Sequence, residues 1–359
     1  MVTSSHSSAS QPSVSQPAAQ QTLDRRSNRS KLWLAAIKPP MYCVAVMPIC
    51  VGSAIAYLQT GSFHASTFFI FALSAILILV WENLTNDVFD SETGIDRNKH
   101  HSLVNLTRNR SLIFWIANAA LFTGILGIVA ITFQQKDTAV LIMVLSCCVL
   151  GYLYQGPPFR LGYKGLGEIL CFFSFGPLAV GAAYYSQLKM TALSAASESA
   201  HWQIWSWHTW HESLWNWQVW SWQTPLLPAA ITVGITTTLV LFCSHFHQVE
   251  DDLKAGKRSP IVRLGTQRGA QTLSVACGLV LVVWSLARIA GGFPPATLIM
   301  LAGAPAAMKL CRHVLRFHAD PARVSNAKFM AINFHVWSGL LLVGGLLISA
   351  SQSAVHTGI

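Results

Sequence analysis

Nine predominantly apolar runs, each near 20 residues or longer, recur from one end of the chain to the other, and such runs constrain the fold more than any other feature. They cover residues 32–58, 66–86, 111–133, 138–155, 165–187, 225–247, 270–291, 294–315 and 328–350. A helix rising about 1.5 Å per residue crosses a hydrocarbon core of roughly 30 Å in about 20 residues. The runs are continuous and not alternating, so helices are expected and a barrel is not. The chain has 359 residues, of which only 11% are charged, whereas a soluble domain carries roughly 25%. Its mean hydropathy is +0.45. The expectation is an all-α, polytopic integral membrane protein with nine transmembrane helices.

Basic residues divide unevenly between the two sides. Twenty of the 24 lie before the first run or in and around the connections after the second, fourth, sixth and eighth. Lys136, Lys189 and Arg288 fall on the other side, and Lys38 sits inside the first run. Short cytoplasmic loops collect Lys and Arg, so the N-terminus is expected on the cytoplasmic or stromal side. The net charge of +10 is spread along membrane boundaries and forms no continuous basic face, which sets nucleic acid aside. Eight cysteines fall mostly within the runs without a CxxC pair and read as small buried residues.

Residues 1–30 are rich in Ser, Gln, Ala and Pro and read as a disordered tail. A plastid transit peptide has a similar composition, while the absence of an apolar segment argues against a secretory signal. An intramembrane domain is expected over 31–350, with a tail at 351–359. Between the fifth and sixth runs, residues 189–224 form an insertion holding eight of the 13 tryptophans, with WQIWSW and WQVWSW as near-duplicates. Trp favours the membrane boundary, so an interfacial segment is expected, with a protein-binding surface over 195–222 as the second reading.

Acidic residues are scarce, yet half of the 14 occupy two short stretches. Asp87, Asp90, Glu92 and Asp96 follow the second run, and Glu250, Asp251 and Asp252 follow the sixth. If the second helix continues past Asp90, Asn83 and Asp87, Asn86 and Asp90, and Asp87 and Asp90 share one face, with Glu92 off it. Continuing the sixth helix would likewise pair Gln248 with Asp252 and His247 with Asp251. Oxygen ligands converging from two helix ends suit a hard cation, normally Mg²⁺ held together with substrate phosphates. Lys99, Arg110, Lys257 and Arg258 are the cations placed to hold a diphosphate. His245 and His247, two residues apart, are expected in ordinary packing.

At these residues the sequence resembles a known family. NDVFDSETGIDRNKHHSLVNLT, YQGPPFRLGYKGLGE and HQVEDDLKAGKRSPIVRLGT are similar to motifs of the UbiA superfamily of intramembrane prenyltransferases. The match is to its MenA branch, most closely the cyanobacterial and plastid phytyltransferases, over roughly residues 31–350. The resemblance implies a nine-helix bundle around a central cavity open to lipid. It implies transfer of a prenyl group, phytyl in these members, from its diphosphate to 1,4-dihydroxy-2-naphthoate or its quinone form. It makes Asp87, Asp90, Asp96 and Asp252 the catalytic carboxylates, with Asn86, Asp87, Asp90 and Asp96 binding Mg²⁺ and diphosphate. Gln248 replaces the first Asp of the second motif, so Glu250 or Asp251 would supply the charge. Lys38 stands where the family has a first-helix Arg, and Tyr154 and Arg160 where it lines the substrate pocket. Arg108 occupies a position where Gly is expected, and the Trp-rich insertion lies outside the common pattern. A cyanobacterial plasma or thylakoid membrane, or a plastid membrane, is the implied location.

Other acceptors open to the same fold are homogentisate and 4-hydroxybenzoate, as well as chlorophyllide and haem. From a different class, a transporter would use Asp87, Asp90 and Asp96 as cation or proton sites. Transporters usually place such groups near the midplane, whereas both clusters here sit at one boundary. A third reading is an inactive scaffold that binds partners through the Trp segment.

Overall fold

In a computed structural model, the described residues are 38–93, 102–195 and 220–357, and they contain helices and no strand. The N-terminal tail at 1–30, Asp96, Lys99 and most of the Trp-rich segment lie outside them. After a turn of 3₁₀ helix at Pro39–Tyr42, the long elements are α1 (Cys43–Thr60), α2 (Ala65–Thr93), α4 (Arg110–Gln135) and α5 (Ala139–Gln155). Then come α6 (Gly167–Phe173) and α7 (Ala179–Ala195), joined through a π turn at Ser174–Leu178 into one rod, and α8 (Leu226–Ser244). The bundle closes with α11 (Thr266–Ile289), a 3₁₀ segment (Pro295–Gly303) leading into α12 (Ala304–Phe317), and α14 (Ala327–Thr357). Short connecting helices are α3 (Leu103–Thr107), α9 (Val249–Lys254), α10 (Pro260–Leu264) and α13 (Pro321–Val324).

Eight of these rods are long and apolar enough to cross a membrane. The ninth apolar helix, α5, has 17 residues and spans only about 26 Å at 1.5 Å per residue. It stops at Gly156, whose N–H closes onto the Tyr152 carbonyl, before Pro157 and Pro158, which lack the donors to continue a helix. The expectation of nine long crossings is therefore met by eight and one shorter helix.

The most buried span is α8, packed among α1, α11 and α14. Polar pairs inside this packing are satisfied across helices: Trp284 Nε1 donates to Thr232 Oγ1 at 3.0 Å, and Thr236 Oγ1 meets His335 Nδ1 at 2.9 Å. Gly52 lets α1 approach α7 backbone to backbone, because a Cβ there would stand 2.5 Å from the Val180 carbonyl oxygen. Outward-facing Phe69, Trp115, Phe122, Phe133 and Ile289 are exposed, as lipid-facing residues should be. At one end of the bundle, buried Asp137 accepts from Tyr185 Oη at 2.7 Å and pairs with Lys189 Nζ at 3.0 Å, pinning the α4–α5 turn onto α7. The acidic motifs gather at the opposite end.

Candidate active site

The helix α2 runs for 29 residues, about 43 Å at 1.5 Å per residue, which is longer than a roughly 30 Å hydrocarbon core. Its last turns therefore emerge at the membrane boundary still helical, and the expected i, i+3 and i, i+4 relations hold. Phe71, Ala75, Leu79, Glu82 and Asn83 line a cavity along one face of α2. Asp87 and Asp90 follow one and two turns later, and both are buried.

The two carboxylates are held differently. Asp87 Oδ2 accepts the Leu103 backbone N–H at 3.0 Å, while its Oδ1 lies 3.7 Å from Lys38 Nζ. Lys38 itself adopts a left-handed backbone (φ 52°) just before the Pro39 turn. Asp90 Oδ1 accepts from the Tyr163 hydroxyl at 2.9 Å, and that hydroxyl also meets Thr93 Oγ1 at 2.8 Å. Burial, and then the neighbouring Asp90 charge, push the Tyr163 phenol upward, so it remains a donor at neutral pH.

The second motif departs from the sequence expectation. The helix α8 ends at Ser244, and Glu250, Asp251 and Asp252 belong to the separate helix α9, with Gln248 at its N-cap. The i, i+4 relation between Gln248 and Asp252 survives as a backbone bond of 2.8 Å, but His247 precedes the helix and does not pair with Asp251 through it. Asp252 faces inward and is fully buried, whereas Glu250 and Asp251 are exposed. These two therefore do not supply the inward charge that Gln248 lacks.

Around Asp252 the chain builds a charged cluster. His245 Nδ1 lies 3.4 Å from Asp252 Oδ2, His245 Nε2 lies 3.4 Å from Glu168 Oε1, and Lys257 Nζ lies 3.5 Å from Asp252 Oδ1. Burial alone would lower the His245 pKa, and the flanking Asp252 and Glu168 outweigh it and leave it raised. Burial would raise that of Asp252, but His245 and Lys257 hold it below the ordinary carboxylate value.

Tyr163 joins the two motifs. Besides bonding Asp90, its ring centre lies 5.7 Å from Lys257 Nζ, and its carbonyl accepts the Arg258 N–H at 2.8 Å. Arg110 and Arg160, expected on substrate, both pair with Glu92, Arg160 Nη2 at 2.9 Å. The Arg258 side chain is exposed. Arg108 adopts φ 54°, a left-handed backbone that explains why glycine would suit this position.

Beneath the motifs lies the cavity of about 250 Å³, walled by α1, α2, α5, α6 and α8. Tyr154 and Asn83 line it together with mostly apolar side chains, and the Asn83 amide donates to the Leu79 carbonyl at 3.1 Å. Gly162 and Gly167 press against the Tyr154 ring, where added Cβ atoms would sit 2.7 and 2.5 Å from it. Sequence reading passed over Tyr163, Glu168, His245 as a paired group, and Glu82.

Among the described residues, no three His, Cys, Asp or Glu side chains stand close enough to enclose a metal by themselves. Mg²⁺ usually takes one or two carboxylates and completes its shell with phosphate oxygens and water, and Asp87 and Asp90 are two buried carboxylates about one turn apart on α2. The donors are hard carboxylate and amide oxygens, and neither oxygen of buried Asp252 makes a hydrogen bond.

A family model described as the UbiA prenyltransferase family matches residues 45–339. The chain is 50% identical over 315 residues to 2-carboxy-1,4-naphthoquinone phytyltransferase of Synechocystis sp., covering 88% of this chain and 92% of that one. It is 39% identical over 325 residues to the chloroplastic 2-carboxy-1,4-naphthoquinone phytyltransferase of Arabidopsis thaliana, covering 89% and 78%. The structure of a UbiA homolog from Archaeoglobus fulgidus has the same fold, at a TM-score of 0.53 and 13% identity, covering 89% of this chain and 99% of that one. A UbiA homolog from that organism has also been solved bound to GPP and Mg²⁺, at a TM-score of 0.50 and 12% identity, covering 87% and 99%.

Proposed function

The chain belongs to the UbiA prenyltransferase family, and on that premise we propose that it transfers a phytyl group from phytyl diphosphate to 1,4-dihydroxy-2-naphthoate or its quinone form, with loss of the carboxylate. The product is a precursor of phylloquinone or menaquinone. The observation that carries this reading is the 50% identity, across 88% of the chain, to a relative named for the reaction. The α2 stripe supports it, because one helix face passes from an apolar cavity to buried Asp87 and Asp90.

Asp87, Asp90 and Asp252 would hold Mg²⁺, with Asn86 and Asp96 as further oxygen donors. When bound, the ion neutralises the diphosphate and makes it a better leaving group. Lys38 and Lys257, each beside one carboxylate, are placed to meet diphosphate oxygens as that charge develops. As the C–O bond to diphosphate breaks, the ring carbon bearing the carboxylate bonds to the prenyl carbon. The electron pair of the C–CO₂ bond returns to the ring, so carbon dioxide leaves and no proton need be removed. The apolar cavity takes the prenyl chain and keeps water from the loosened allylic carbon.

The chain is a multi-pass membrane protein. The basic loops favour an N-terminus on the cytoplasmic or stromal side, and the two relatives favour a cyanobacterial or plastid membrane. The test is competition in membranes containing the protein. Phytyl and longer prenyl diphosphates are offered together, with dihydroxynaphthoate, homogentisate and 4-hydroxybenzoate in separate reactions, and lipid products are identified by mass. Phytyl naphthoquinol as the dominant product is expected. Preferred prenylation of another acceptor overturns the assignment.

A further inference from the structure

Glu82 is a carboxylate inside a membrane-crossing helix, and the reaction as derived gives it no task. Ionisable groups at such depth are costly and call for a partner. Among the described residues its side chain makes no hydrogen bond or ion pair, and it lines the cavity beside Asn83. Two features show that the site is built around it. A Cβ on Gly151 of α5 would stand 2.4 Å from Glu82 Oε2, so a glycine there makes room for the carboxylate. Gln155 Nε2 donates to the Glu82 carbonyl at 3.0 Å and to Thr85 Oγ1 at 2.7 Å, which fixes this turn of α2 against α5.

Its height along α2 indicates what it meets. At about 1.5 Å per residue, Glu82 sits roughly 7.5 Å below Asp87 and 12 Å below Asp90. The residues below it on the same face, Leu79, Ala75 and Phe71, are apolar. Glu82 thus occupies the layer between the diphosphate end and the hydrocarbon pocket, where the reacting ring has to lie. A carboxylate repels both the diphosphate and the carboxylate of the acceptor, and it attracts a phenolic O–H.

We propose that Glu82 accepts a hydrogen bond from a ring hydroxyl of the acceptor in its dihydroxy form, orienting the ring and raising its electron density as the prenyl carbon approaches. This inference rests on the prenyl-transfer reading and names the group that recognises its acceptor. The proton stays on the ring oxygen throughout. As the new C–C bond forms, positive charge spreads into the ring and the hydroxyl becomes a stronger donor, so the bond to Glu82 tightens at the transition state. Once carbon dioxide leaves, the ring is neutral and the bond relaxes.

The experiment compares wild type, Glu82→Gln and Glu82→Leu in membranes at matched expression. Both variants are expected to lower kcat/KM for dihydroxynaphthoate about tenfold or more, with Leu worse than Gln, while KM for phytyl diphosphate stays within about twofold. A binding arm needs no turnover. Wild type should hold 1,4-dihydroxy-2-naphthoate more tightly than its 1,4-dimethoxy counterpart, and Glu82→Leu should lose that discrimination. Should the Leu variant fail to accumulate, Gly151→Ala crowds the same oxygen and is expected to show the same acceptor-selective loss. Unchanged acceptor kcat/KM, an equal loss for donor and acceptor, or discrimination retained in Glu82→Leu overturns the proposal. Absence of phytyl naphthoquinol from wild type counts against the reaction, and the binding arm still decides Glu82.

Discussion

The Tyr163 hydroxyl donates to Asp90 Oδ1 at 2.9 Å, tying a loop residue to the first acidic motif from 73 positions away. The same ring faces Lys257, the partner of Asp252, so this side chain spans the gap between the two motifs. Tyr163→Phe keeps the ring and removes the hydroxyl's bonds to Asp90 and Thr93. A net hydrogen bond of about 1 kcal/mol corresponds to roughly a five- to tenfold fall in kcat/KM. Tyr163→Ala also loses the ring beside Lys257 and is expected to fall further. Steady-state rates across a Mg²⁺ titration check this, and Phe should need more Mg²⁺ for half its maximal rate.

Asp252 is the counter-charge for buried His245 and half-buried Lys257. Asp252→Ala leaves His245 and Lys257 facing each other without it, a loss of roughly 3–5 kcal/mol where a buried pair is broken. Thermal unfolding in detergent should show a lowered midpoint together with lost activity. Asp252→Asn, which keeps the shape, should lose activity with a smaller change in midpoint.

The close approach of α1 and α7 depends on Gly52. A methyl there meets the Val180 carbonyl oxygen and the Tyr184 amide, at 2.5 and 2.7 Å, and backbone cannot step aside as a side chain can. Gly52→Ala is expected to cost about 1–3 kcal/mol. Gly278→Ala in α11 meets nothing within 4 Å and should be neutral or slightly stabilising. Paired unfolding curves of the two variants check the contrast.

Part of this architecture is legible from spacing alone. The helical period placed Asp87 and Asp90 on one face and Glu92 off it, because α2 continues unbroken beyond the apolar run. The end of α8 was not legible, since Phe246 in the following turn is as buried as the helix before it and hydropathy does not register the break. The ion pairs were hidden for a different reason. Glu92 draws Arg110 from the start of α4 and Arg160 from the α5–α6 loop, and His245 meets Glu168 from 77 positions away, so no local pattern encodes either. Glu82 was masked by the apolar run that contains it, because one carboxylate hardly changes the mean hydropathy of the span.

The central claim is that the two acidic motifs activate a prenyl diphosphate for transfer to a naphthoate ring. Its most direct test supplies membranes bearing this protein with 1,4-dihydroxy-2-naphthoate, phytyl diphosphate and Mg²⁺, and reads the lipid extract by mass spectrometry. The account predicts a phytyl naphthoquinol that has lost the acceptor's carboxylate, absent with EDTA and absent from Asp90→Ala membranes holding the same amount of protein. No such product from wild type, or an equal yield with EDTA or from Asp90→Ala, would contradict it.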